Sequence, residues 1–130
     1  MQAQGFAQRY TQAQVTSVDR KRLLLLVFDG GLRFLRQARA ALAGDDLQTF
    51  CEALSRAQAI VSELQATLDM AQGGDIAIQL DRLYDFMLLR LTEANASRSM
   101  RHMDDALRVF DTIAGGYRAI VGGPGAVQAA

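Results

Sequence analysis

The spacing of apolar residues constrains this chain more than any other feature, and the stretch RLLLLVFDGG (residues 22–31) tests it hardest. Six consecutive apolar residues followed by an acid and two glycines could be a buried strand entering a phosphate loop, a membrane segment, or a helix with surplus apolar surface. The register decides for the helix: Leu24, Phe28, Gly31, Leu35, Ala38 and Leu42 are separated by alternating steps of four and three, the helical repeat, and the pattern runs straight through the glycines. A phosphate loop would need a Gly-x-x-x-x-Gly-Lys-Ser/Thr or Gly-x-Gly-x-x-Gly pattern, which does not follow. Leu23 to Phe28 is far shorter than the roughly 20 residues of a membrane helix. Thr16 or Ser17 is the expected cap of this first helix and Gly44 its expected stop. Gly30 and Gly31 then lie inside a helix, at a cost of up to about 1 kcal/mol each against alanine. Close approach of another helix is the expected compensation.

Three further stripes follow. Leu47, Phe50, Leu54, Ala57, Val61, Leu64 and Leu68 mark a second helix that starts at Asp45 or Asp46 and breaks at Gly73-Gly74. Asp75 opens a third through Ile76, Leu80, Leu83, Met87, Leu91 and Ala94, and Ser99 caps a fourth through Met103, Ala106, Phe110, Ile113, Tyr117 and Ile120. The expected fold is all-α, an antiparallel four-helix bundle over residues 16–121. An N-terminal extension (1–15, a short helix or cap segment) precedes it, and a disordered tail (122–130) with the only proline follows.

The chain of 130 residues has 14 basic and 14 acidic residues, but their distribution is uneven. Residues 1–40 carry seven basic against two acidic, and residues 41–89 two against eight. Attraction between neighbouring helices accounts for this. The lack of overall charge excess and of interleaved aromatics argues against a nucleic-acid partner. The polar, Gln-rich N-terminus carries no secretion signal of the general kind, so a cytoplasmic location is expected.

Chemistry is sparse. Cys51, the single cysteine, is expected to be a small buried hydrophobe. His102, the single histidine, lacks Glu-x-x-His spacing and is expected at the surface without a metal. Asp81 and Asp85, one turn apart, are expected on a solvated face. Methionines 70, 87, 100 and 103 are expected mostly as core fillers. No catalytic residue, metal site or cofactor is expected. Apolar residues in excess of one stripe per helix (Leu25, Leu26 and Leu32; Ile78, Tyr84, Phe86, Leu88 and Leu89) imply burial by the extension, a second subunit or a partner, or else a wide core stripe.

The segments AQAIVSELQATLDM and GGDIAIQLDRLYDFMLLRLTEAN, with Tyr10, Val15 and the run Leu23–Gly30, resemble the flagellin-specific export chaperones of the FliS family from Tyr10 to about Ile120. Phe28 and Phe86 stand where that family commonly has tyrosine, and Tyr117 where it often has tryptophan, so aromatic bulk is kept. The resemblance implies a cytoplasmic chaperone that binds the disordered C-terminal segment of flagellin, prevents premature polymerisation and delivers it to the flagellar type III export apparatus. Together with the surplus apolar character it implies a flagellin-binding groove at Leu25, Leu32, Ile76, Leu80, Tyr84, Met87 and Leu88. It also implies an N-terminal gating segment at Phe6, Tyr10 and Val15. An export-gate component, a flagellar regulator and a second copy of the chain are further partners to test. The rival expectation is a bundle that self-assembles without a flagellin client.

Overall fold

The computed structural model describes the backbone of residues 2–121 and the side chains of residues 19–121, as four helices: α1 (Gln2–Ala43), α2 (Leu47–Ala66), α3 (Met70–Ser97) and α4 (Met100–Val121). Each helix packs on the next, and α4 closes the ring against α1. Short connections force successive helices antiparallel. Three ion pairs show the same sense for α1 and α4: Asp29 with Arg118, Arg36 with Asp111 (3.6 Å) and Arg39 with Asp104, residue numbers rising on one helix as they fall on the other. Among the described residues, two basic residues of α1, Arg36 and Arg39, are thus paired with acids of α4 rather than of the acid-rich middle of the chain.

The core follows most of the expected stripes, but on α3 Ile76 and Leu83 are exposed and Tyr84, expected as surplus, is buried instead. Phe28, Leu32, Leu35, Ala38 and Leu42 from α1 meet Phe50, Leu54, Ala57, Val61 and Leu64 from α2; α3 adds Tyr84, Met87, Leu91 and Ala94, and α4 adds Met103, Ala106, Phe110 and Ala114. At Gly31 the Phe110 ring of α4 packs directly against α1. A β-carbon there would lie 2.6 Å from Phe110 Cζ and 3.1 Å from Ile60 Cγ2, so glycine is required by the approach of two neighbours. At Gly30 the same atom would meet only ordinary contacts at 3.8 Å.

Several boundaries differ from the sequence expectation. The cap at Thr16 or Ser17 is not used, because α1 is continuous from Gln2. Its 42 residues span about 63 Å, against about 30 Å for the 20 residues of α2. The N-terminal half of α1 therefore runs beyond the end of α2. The side chains of Phe6, Tyr10 and Val15, and the tail 122–130, lie outside the described residues.

Helix α2 stops at Ala66, seven residues before the glycine pair. Asp69, which accepts from the Gln72 backbone amide at 3.0 Å, caps α3 from Met70. The Gly73-Gly74 break is a kink inside α3, where Gly74 takes φ +54 and ψ −132. Asp46 caps α2, accepting from the Thr49 amide, and hydrogen bonding from the Thr49 side chain and then from that amide holds its carboxyl below the usual range. Ser99 accepts from the His102 amide at 3.3 Å, as a cap of α4 should.

Cys51 corrects the expectation outright. It is exposed, because the buried positions of α2 centre on Phe50, Leu54, Ala57 and Val61, and Cys51 sits about 100° around the helix from Phe50. Leu47 and Met70, expected in the core, are also exposed, each lying at the start of its helix, where neighbours are missing on one side. His102 is not a free surface residue. Its Nε2 lies 3.7 Å from Glu93 Oε2 and its Nδ1 3.4 Å from Arg90 Nη1, which also donates to Glu93 at 3.0 Å. Asp81 and Asp85 do not face water alone, since Gln65 of α2 donates through Nε2 to both, at 3.0 and 2.7 Å.

Candidate functional site: an apolar groove at the end of the bundle

The four helices do not pack to the end of the bundle. Beyond the layer of Phe110 and Met87 an open groove of about 430 Å³ lies between them. Leu24 and Phe28 of α1 form one side, and Leu64 at the end of α2 with Thr67 and Leu68 beyond it form the next. The kinked start of α3 supplies Gly73, Ile76, Ala77, Leu80 and Tyr84, and the last turns of α4 supply Ile113, Gly116, Tyr117 and Ile120. Asp69 is the one charged residue among them. A smaller hollow of about 290 Å³ between α1 and α2 shares Leu24, Leu64 and Thr67 with the groove and adds Val27, Ala59 and Ile60.

Aromatic rings build the floor. Phe28 lies between Phe110 and Tyr117, with ring centroids 5.6 and 5.0 Å away, both in tilted arrangements that favour ring edges against ring faces. Tyr84 is 2% exposed yet reaches the groove, and no hydrogen bond to its hydroxyl is present among the described residues. Burial pushes its pKa up to about 12. Burial also raises that of Tyr117, opposed by the positive charge of Arg20 on α1. Both phenols are therefore neutral at physiological pH, and the groove presents their rings rather than charge.

Of the residues expected to bind flagellin, Ile76, Leu80 and Tyr84 lie together on the α3 wall of this groove. Leu32 and Met87 belong to the closed core and do not reach it. Leu25 and Leu88 are half-buried, and neither lines the groove. The sequence reading did not assign the α4 wall or the α2 end to the site. Ile113, Tyr117 and Ile120 continue the α4 stripe without interruption, so their pattern resembles ordinary core. The signal available was Ile120 itself, an isoleucine extending an apolar stripe past a glycine pair. It is 66% exposed.

Among the described residues no group of three or more His, Cys, Asp or Glu could hold a metal ion, and no helix is long and apolar enough to cross a membrane. Fold and groove together define a small all-helical bundle whose open feature is an apolar cleft with room for several side chains. The comparisons identify which bundle. A family model described as flagellar protein FliS matches residues 2–124. The chain is 34% identical over 109 residues to the flagellar secretion chaperone FliSB of Pseudomonas aeruginosa, covering 84% of this chain and 86% of that one. It is 33% identical over 117 residues to the flagellar secretion chaperone FliS of Salmonella typhimurium, covering 89% and 87%. A crystal structure of a flagellar chaperone from bacteria superposes with a TM-score of 0.75 over 93% of this chain and 98% of that one; at 21% identity it speaks for the fold alone. The chain belongs to the FliS family of flagellar secretion chaperones.

Proposed function

We propose that this protein is a non-catalytic cytoplasmic export chaperone that holds the disordered C-terminal segment of flagellin, keeps it from polymerising early and delivers it to the flagellar type III export apparatus. The observation that carries the reading is the groove walled by Ile76, Leu80, Tyr84, Tyr117 and Ile120, which matches the helix-in-groove mode of peptide recognition. A filament subunit's terminal segment is amphipathic because its apolar face later packs against other subunits, so such a groove covers the surface that would drive premature assembly. Ordering the segment on binding offsets much of the contact energy, which keeps release at the export gate within reach. The export-gate component and a flagellar regulator remain partners to be tested by the same titration.

Calorimetric titration with the C-terminal segment of flagellin from the same organism, with far-ultraviolet circular dichroism of the mixture, tests the reading. A saturable complex near 1:1 with a gain in helix is expected. A folded sample that takes up no segment would sink it. One observation favours a second reading, self-association: Leu23 and Leu26 are 61% and 65% exposed on α1. Sizing on dilution separates the two, because a self-interface persists without client and weakens as the protein is diluted.

A further inference from the structure

Although half-buried Tyr117 still packs against the core, α4 is fully enclosed only as far as Ala114. That residue is fully buried, and none of Gly115–Val121 is. Gly115 and Gly116 follow at once, inside the helix, and neither has a structural need to be glycine: neither takes a positive φ, and a β-carbon at either would meet nothing within 4 Å. Each lowers the local helix equilibrium roughly fivefold relative to alanine without any packing gain in return. Beyond the pair, an aromatic contact and an ion pair among the described residues tie the last turn of α4 to α1. The first is the Tyr117 ring on Phe28, and the second is the exposed pair of Arg118 with Asp29. This weakly held turn also forms a wall of the groove, through Gly116, Tyr117 and Ile120.

From this geometry we propose that Gly115-Gly116 is a hinge on which residues 117–121 swing away from α1 as one block, opening the groove wall, with Phe28–Tyr117 and Asp29–Arg118 as the latch. The fold supplies the conditions such a device needs: a fixed point in the buried Ala114, two adjacent helix-weakening residues and a moving wall joined to α1 by the half-buried Tyr117 ring and an exposed ion pair. A surface ion pair contributes little and is screened by salt, so the latch is strong enough to favour the closed wall without locking it. Local opening of this kind is the low-stability end of the range found within folded proteins. Resting on the proposed chaperone function, the consequence is that an amphipathic helix enters sideways through the opened wall, and the wall closes over it with Tyr117 and Ile120.

Amide hydrogen exchange of the free protein tests the hinge without any client. In the wild type, the amides of residues 117–121 are expected to exchange with a common rate. Replacing both glycines (Gly115→Ala with Gly116→Ala) should slow that rate about 20-fold, and Asp29→Asn should raise it a few-fold. Rates that climb smoothly from Gly116 towards Val121, as in ordinary end fraying, would overturn the hinge, as would no change in the double-alanine protein. Stopped-flow mixing with the flagellin C-terminal segment then tests the gate: association should slow about tenfold in the double-alanine protein, and an unchanged rate overturns gating. If the wild type binds no segment at all, the client assignment fails, and the exchange pattern alone decides the hinge.

Discussion

The edge of the Phe110 ring lies over the bare Cα of Gly31, so close that a β-carbon on residue 31 would come within 2.6 Å of Cζ. This contact lets α1 and α4 approach at the level where the core ends and the groove begins. Gly31→Ala is expected to destabilise the protein by about 1–3 kcal/mol, the usual cost of overpacking a filled core. Gly30→Ala, one residue away with no neighbour closer than 3.8 Å, should stabilise it by up to about 1 kcal/mol. Urea denaturation of the two variants checks the contrast. Equal effects would mean that Phe110 moves aside freely.

Gly74 has as much space around it as Gly115 and Gly116, yet substitution there should act in the opposite direction. Its φ of +54 with ψ −132 is a backbone conformation that side chains oppose. Gly74→Ala is expected to cost about 1–3 kcal/mol in thermal or urea denaturation. It should also displace Ile76 and Leu80, because the kink sets the angle at which α3 meets the groove.

Ile76 is 70% exposed, so Ile76→Asp should leave stability within about 0.5 kcal/mol of the wild type. If the groove takes flagellin's C-terminal segment, the same substitution should weaken binding tenfold or more, since it places a carboxylate where an apolar face must dock. Titration calorimetry reads the affinity and denaturation reads the stability. Undiminished affinity would move the binding surface elsewhere on the bundle.

Tyr84 gives the protein an alkaline limit. Its folded pKa of about 12 lies above the ordinary value of 10.0, because burial penalises the phenolate. The folded state therefore keeps its proton through a range where the unfolded chain loses one. The contribution is intact below pH 10 and is lost as the pH rises from there towards 12. Tyr84→Phe should remove this part of the slope. At neutral pH the substitution should be nearly silent, since no hydrogen bond to the hydroxyl is present among the described residues. Denaturation midpoints of both proteins between pH 8 and about 11 measure it.

The sequence by itself determined the helices and most of the core. Leu35, Ala38, Phe50, Leu54, Val61, Met87, Leu91, Met103 and Phe110 are buried because a helical repeat of apolar residues has one stable arrangement, with the stripe turned inward. The sequence also marked Gly30 and Gly31 together as a point of close approach, which holds at Gly31 and not at Gly30. The pattern could not say that α1 runs unbroken past Thr16, because a serine or threonine can cap a helix or ride within one, and context decides. Nor could it separate groove from core. Leu32 and Tyr84 both looked like surplus apolar residues, but Leu32 is enclosed by its neighbours, while Tyr84 floors an open cleft. That difference arises at the end of the bundle, where α3 bends at Gly74, no residue of Gly115–Val121 is fully buried and an open groove lies between the helices. Helical stripes are set by bonds a few residues apart along the chain. The groove depends on distances between residues as far apart as Leu24 and Ile120, and only the packed structure decides those.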